Sequence, residues 1–220
     1  MPLPAALIFD FDGLIADTES PVFESWSALY SSVGFDLAKA DWVGCVGSDW
    51  GSFDPIGNLE TLAAKTLPWK ELEAARLKHE ESHLESLAPL PGILDLLAEA
   101  NSAGVPCAIA SSSPLVWVSR WVTEFGIADR FELIRTKDDV ESVKPAPDLF
   151  LQAASGLDIE PSNCLVLEDS LNGLRAAQAA GARCAIIPNP VTRILEFPGA
   201  DLRFDTLAGV GLKELGEAFE

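Results

Sequence analysis

The sequence is short of basic residues, cysteine and histidine, and it contains no long apolar run. Against 34 acidic side chains stand only 15 Lys and Arg, for a formal net charge of −19. A surface of that sign repels nucleic acid and anionic membranes, so neither is expected as a partner. It also disfavours the approach of an anionic substrate unless a site concentrates cations locally. Residues 16–88 hold 13 acidic and 5 basic side chains, so the acidity is spread and is not a tail. An acidic or salt-adapted proteome explains it equally well, and no function is read from it.

No window approaches the roughly 18 uninterrupted apolar residues of a membrane span. The opening Met1-Pro2-Leu3-Pro4 has no basic region and does not read as a secretory signal. The four cysteines, Cys45, Cys107, Cys164 and Cys184, are scattered without a Cys-x-x-Cys pair. Cys107, Cys164 and Cys184 each begin an apolar run and read as small core residues of a reduced, cytoplasmic protein. His79 and His83 are the only histidines. Their i, i+4 spacing would present a metal-binding face, but Lys78, Glu80, Glu81 and Glu85 around them mark a solvated helix surface. Repeats, low-complexity segments and an obvious dimer surface are all missing, so a monomer is expected.

What is present is a globular composition, 48% hydrophobic and 22% charged over 220 residues, enough for a sizeable core in one or two domains. The stretch around which the chain is organised is Ala5-Ala6-Leu7-Ile8-Phe9-Asp10-Phe11-Asp12-Gly13. A short unbroken apolar run fits a strand buried on both faces. Side chains at i and i+2 of an extended segment point the same way, so Asp10 and Asp12 would look out together from the strand's carboxyl end. Open α/β sheets bind ligands there. Two like charges beside a hydrophobic strand call for a nearby cation, and a hard, oxygen-seeking ion such as Mg²⁺ answers that need. Taken alone, Asp-x-Asp-Gly reads equally well as a turn.

The rest of the chain bears on that choice. Ser20-Pro21 resembles an N-cap and first helical position for a helix over 21–33 that stops at Gly34. Residues 41–51, with Trp42, Trp50 and three glycines, read as an irregular, exposed loop. Helices are expected over 56–66 and 69–87, and no convincing strand lies between 16 and 88, which reads as a small helical module. From Leu90-Pro91-Gly92 onward strands and helices alternate. Strands are expected over 106–110, 131–135, 164–167 and 183–187, with an edge strand over 200–204. Helices are expected over 93–103, 115–125, 171–180 and from Lys144-Pro145-Ala146-Pro147-Asp148 to Gly156. Alternation of this kind predicts right-handed βαβ units, a mainly parallel Rossmann-like sheet sandwiched by helices. Four polar clusters then fall at strand ends or helix starts: Asp10/Asp12, Ser111, Lys144 and Glu168/Asp169. Turn chemistry alone does not explain four such coincidences.

Carboxylates, a hydroxyl and a lysine at one sheet edge suit phosphoryl transfer, which relies on positioning and charge neutralisation. Asp10 and Asp169, with Glu168, can hold Mg²⁺. Lys144 adds a point charge, and Ser111 can donate to a phosphoryl oxygen. An aspartate can serve as a covalent nucleophile while a neighbour moves the proton, a division of labour that suits Asp10 and Asp12.

Four stretches in this order resemble the haloacid-dehalogenase-like hydrolase superfamily, in the branch with a helical cap inserted after the first strand. They are Phe9-Asp10-Phe11-Asp12-Gly13, Ala110-Ser111-Ser112-Ser113, Val143-Lys144-Pro145-Ala146-Pro147-Asp148 and Leu167-Glu168-Asp169-Ser170-Leu171-Asn172-Gly173. The resemblance implies an α/β core over 1–15 and 89–220 and a cap over 16–88 that closes on the site and selects the substrate. It implies Asp10 as nucleophile and magnesium ligand, and Asp12 as acid/base with its backbone carbonyl on the metal. Ser111 and Lys144 would then hold the phosphoryl group, with Asp169 a further ligand assisted by Glu168. Thr18, which matches a position near the cap hinge, and Ser112 of the second matching stretch are expected, with Asp49, to bind substrate. Read this way, the chain is a magnesium-dependent phosphatase of a small phosphorylated metabolite. Trp42, Asp49 and Trp50 in the cap loop point to a sugar or polyol phosphate, with Asp49 accepting hydrogen bonds from hydroxyls.

A β-phosphoglucomutase-like mutase is the nearest alternative. Val22 stands where those enzymes carry histidine, Pro114 where they carry lysine, and residues 46–50 lack their arginine. A catalytically silent phosphate-binding module is the alternative of another class. Dehalogenation does not need Asp12 or magnesium. Phosphonate hydrolysis would need a cap lysine, and nothing marks Lys39, Lys65 or Lys70 for it.

Overall fold

The structure is a computed structural model in which residues 3–48, 53–84 and 86–220 are described. Asp49 and Trp50, both named above as cap-loop residues, lie outside the described residues. Six parallel strands form one sheet in the order β3-β2-β1-β4-β5-β6, so the expected mainly parallel sheet is parallel throughout its named strands. The strands are β1 (Ala6–Phe9), β2 (Cys107–Ala110), β3 (Leu133–Arg135), β4 (Cys164–Glu168), β5 (Arg183–Ile186) and β6 (Leu202–Arg203). Between β1 and β2 come α1 (Glu19–Val33), α2 (Lys39–Trp42), α3 (Pro55–Ala63), α4 (Trp69–Leu84) and α5 (Ile93–Ala103). Then follow α6 (Leu115–Glu124), α7 (Asp148–Gly156), α8 (Leu171–Ala180) and α9 (Leu212–Gly216). Among the described residues no helix is long and apolar enough to cross a membrane.

Why the central strands read as unbroken apolar runs is visible in their packing. Leu7 and Phe9 of β1, Cys107 and Ile109 of β2, and Leu165 and Leu167 of β4 join one core with residues of α5, α6 and α9. Ala6, Ile8, Ala108, Ala110, Cys164 and Val166 join a second core with α7 and α8 on the other face. Both faces of a parallel sheet are covered, so alternation of polar and apolar residues is lost while the two-residue period survives in what each side chain touches. All four cysteines are buried and free.

A third cluster belongs to the helices between β1 and β2: Trp26, Leu29, Tyr30, Leu37, Trp42, Val43, Cys45, Val46, Leu59 and Leu67, with Val191 of the later chain. Here the structure corrects the sequence in two places. Residues 41–48 are not an exposed loop: Trp42 ends α2 and is 1% exposed. Its ring meets Phe23 edge-on at 5.9 Å and Phe53 at 6.4 Å, so tertiary packing overrides the local glycine-rich composition. Helix α1 also begins two residues earlier than Pro21, at Glu19, with Thr18 at the N-cap position. The Asp17 carboxylate accepts from the Ser20 N–H at 3.0 Å, which satisfies a first-turn donor in place of the expected Ser20 cap.

Candidate active site

β1 lies between β2 and β4, with register pairs Phe9↔Ile109 and Phe9↔Leu167. The residues just beyond these strands therefore gather at one point of the carboxyl edge. The crossovers run from β1 to β2 on one side and toward β4, β5 and β6 on the other, so this is also the switch point of the sheet. The Asp10 N–H still bonds Leu167 O at 3.0 Å, holding Asp10 in line with the ladder. A cavity of about 980 Å³ opens here, lined by Asp10, Asp12, Ser111 and Lys144 and, from the helical segment, by Thr18, Glu19, Trp42 and Gly47.

Lys144, 0% exposed, reaches Asp10 Oδ1 at 2.5 Å and Glu168 Oε1 at 2.7 Å. The other Glu168 oxygen, Oε2, accepts from the Asp169 N–H, the Ser170 N–H and the Ser170 hydroxyl, each at 2.9 Å. Glu168 thus anchors both the lysine and the turn that follows β4. Only glycine fits at position 173, since a Cβ there would run into the Glu168 carboxylate. Gly13, at φ 81°, turns the chain away after Asp12, and a Cβ there would strike Asp169 and Asn189. Asn189 Nδ2 donates to Asp169 Oδ2 at 2.5 Å, while Asp169 Oδ1 is buried with no hydrogen-bond partner.

That orphaned oxygen is the structural sign of a cation site. Asp10, Glu168 and Asp169 bring ligand atoms within 4.8 Å of one another, and all three are buried. Three carboxylates against one ammonium leave two negative charges in the protein interior, which a divalent ion would neutralise. The electrostatics agree: burial foremost, then repulsion from Glu168 and Asp12, raise Asp10 to about 7 despite the opposing pull of Lys144. Asp169 is raised well above the usual carboxylate range, by burial first and then by Glu168 and Asp10. Burial pulls Lys144 down, but the charges and hydrogen bonds of Asp10 and Glu168 outweigh it and hold the ammonium above the usual lysine range. His79, half-buried, and His83, exposed, lie on α4 and take no part in this cluster.

Asp12 is held differently from its neighbour. Its Oδ1 accepts from the Thr18 hydroxyl and the Trp117 indole N–H, both at 2.8 Å. Its Oδ2 accepts from the Ser113 hydroxyl at 2.6 Å and the Ser111 hydroxyl at 3.3 Å. Ser112 is turned elsewhere, donating to Gly47 O at 3.1 Å and so tying the loop after β2 to the helical segment. Asn172, at the start of α8, donates to Gly44 O at 3.1 Å and Val46 O at 2.9 Å from the other side.

Sequence reasoning missed Ser113 as a site residue, Asn189, Trp117 and Glu19. Glu19 follows Thr18 directly and lines the cavity. Burial, then the charges of Asp12 and Asp10, push it up to about 8. Ser113 stood inside the second matching stretch and Glu19 next to Thr18, so both could have been found there. Trp117, one turn into α6, carries no motif signal at all.

Comparison with known proteins places these observations. Residues 7–187 match the family model described as haloacid dehalogenase-like hydrolase. The chain is 41% identical over 207 residues, 94% of both chains, to YhcW of Bacillus subtilis (strain 168), a protein named as a phosphatase. It is 28% identical over 221 residues, 96% of both, to hexitol phosphatase B of Escherichia coli (strain K12). Among solved structures it resembles CbbY from Rhodobacter sphaeroides in complex with xylulose-(1,5)bisphosphate. The TM-score is 0.74 and the identity 31%, over 97% of this chain and 99% of that one.

Proposed function

The chain belongs to the haloacid dehalogenase-like hydrolase family, and we propose that it is a magnesium-dependent phosphatase of a small sugar or polyol phosphate. The observation that carries this reading is the buried grouping of Lys144 with Asp10, Glu168 and Asp169, beside an Asp12 bonded to hydroxyls and an indole instead. The names of YhcW and hexitol phosphatase B support the same reaction class.

In this reading Asp10 attacks phosphorus to form an aspartyl-phosphate, and the bond from phosphorus to the leaving oxygen breaks. Asp12 gives its proton to that oxygen. As a carboxylate it then takes a proton from water, whose oxygen attacks phosphorus and releases Asp10 and inorganic phosphate. Ser111 and Lys144 steady the transferring group, and Glu168 holds Lys144 in place. Asp10, Asp169 and the Asp12 backbone carbonyl, with Glu168 beside them, would hold magnesium, which would supply the charge that lets a carboxylate meet an anionic phosphoryl group. Residues 16–88 act as a cap over a core formed by 1–15 and 89–220. The separate aromatic cluster of α1–α4 supports that division. Four free, buried cysteines suit a cytoplasmic setting.

A phosphatase is favoured over a phosphomutase because a mutase must hold a second phosphate. Val22 and Pro114 both line the cavity, and its only cations among the described lining residues are Lys137 and Lys144. Arg76, the arginine of α4, is already engaged by Glu80 at 2.5 Å and Glu73 at 2.8 Å and lies over the Trp26 ring. The test is a panel of phosphomonoesters with magnesium, run beside Asp10→Asn. Turnover without any bisphosphate activator, with loss of both turnover and the phosphorylated enzyme in Asp10→Asn, is expected. A requirement for a bisphosphate would favour the mutase, and magnesium binding without turnover would favour a silent module.

A further inference from the structure

Four donors converge on the Asp12 carboxylate, and they are not equivalent. Thr18, Ser111 and Ser113 are hydroxyls, each able to rotate and act as donor or acceptor. The Trp117 indole N–H can only donate. It reaches Oδ1 at 2.8 Å from a half-buried side chain on α6 whose ring packs edge-on to Trp121 at 5.7 Å. We propose that Trp117 is a positioning residue that fixes Asp12 so that Oδ2 is the oxygen carrying the transferable proton. The proposal rests on the acid/base role given to Asp12 above.

The reasoning follows from hydrogen-bond valence. When the carboxyl group carries a proton, the protonated oxygen becomes a donor and must find an acceptor. At Oδ1 a proton would face an indole hydrogen that cannot turn away, which places two hydrogens against each other in a half-buried site. At Oδ2 the two serine hydroxyls can rotate to accept. Ser111, one of those two hydroxyls, is also the residue assigned to the phosphoryl group, so Oδ2 is the Asp12 oxygen bonded to a phosphate-site residue. Trp117 would thus choose the oxygen, and the three hydroxyls would adapt to whichever protonation state is present. None of the matching stretches contains Trp117, which lies 105 residues from its partner in sequence.

The experiment compares Trp117→Phe, which keeps the ring and removes the N–H, with Asp12→Asn and the parent protein. Each is assayed for kcat/KM on p-nitrophenyl phosphate, whose leaving group needs no proton, and on an alkyl phosphate, which does. Through kcat/KM the comparison reads the steps up to formation of the aspartyl-phosphate. Trp117→Phe is expected to lower kcat/KM on the alkyl ester about tenfold and to leave the aryl ester within about twofold, a fraction of the 10²–10⁴ that a general acid contributes. Asp12→Asn is expected to show the same selectivity more strongly. An equal loss on both esters, or no loss on either, in Trp117→Phe overturns the proposal. The aryl rate doubles as a check that the site is folded. If Asp12→Asn itself shows no selectivity for the alkyl ester, the acid role of Asp12 falls, and the role of Trp117 falls with it. If only Trp117→Phe lacks selectivity, the phosphatase reading stands and Trp117 merely packs.

Discussion

At the carboxyl edge of the sheet, Asp10, Lys144, Glu168 and Asp169 are each no more than 3% exposed, and charge is the substance of the interior. In α1–α4 the buried groups are chiefly rings and aliphatic chains, Trp26, Tyr30, Trp42 and Leu59 among them, with Glu19 at the cavity the one ionisable group there, among the described residues, that burial pushes up to about 8. The two regions face the same cavity and have solved different problems. A buried charge is tolerated only where partners meet it with good geometry, and strand ends fixed by a parallel ladder supply such geometry. An aromatic cluster imposes no comparable direction on its neighbours and can vary its outline without losing its fold. On the proposed reading, chemistry belongs at the sheet edge and the reading of substrate shape falls to the helices.

The sharpest way to break this contrast is Lys144→Met. It would leave three buried carboxylates with no ammonium, and about 3–5 kcal/mol of stability should be lost in urea denaturation with EDTA present. Catalytic turnover should fall to background in the same protein. A variant as stable as the parent would show that the edge is not electrostatically balanced by this lysine. In the helical segment the corresponding change is Leu59→Ala. Leu59 is 0% exposed, and the cavity left behind should lower stability by about 3 kcal/mol. Rates on p-nitrophenyl phosphate should be little altered at temperatures where the variant is folded. A loss of that rate comparable to the effect of Lys144→Met would erase the distinction between the regions. Smaller again is the response to magnesium. At about 100 times its dissociation constant it should add about 2.7 kcal/mol, seen as a higher Tm. Asp169→Asn should abolish the gain and Leu59→Ala should keep it.

Much of the sheet was legible because its strands are short apolar runs with both faces buried, and each acidic or hydroxyl residue of interest follows such a run directly. Asp10, Ser111 and Asp169 share that signature, and register alone brings them together. Lys144 was legible from the Lys-Pro-Ala-Pro-Asp stretch that opens α7. Trp42 was misread because its burial depends on Phe23, Trp26 and Phe53, contacts that a glycine-rich neighbourhood does not announce. The start of α1 was missed because Asp17, not Ser20, satisfies the first-turn donor. Trp117 could not be seen at all, since nothing about a tryptophan one turn into a helix reveals a carboxylate 105 residues earlier.

Ser112 and Asn172 grip the carbonyls of Gly44, Val46 and Gly47 from two sides. Three such bonds, at about 1 kcal/mol net apiece, favour the fastened loop by about a hundred to one before anything has entered. That stretch of backbone therefore stands as a formed wall of the chamber, whatever the rest of the helical segment does. On the proposed reading, an ester whose outline does not suit the wall would be refused without the protein having to rearrange.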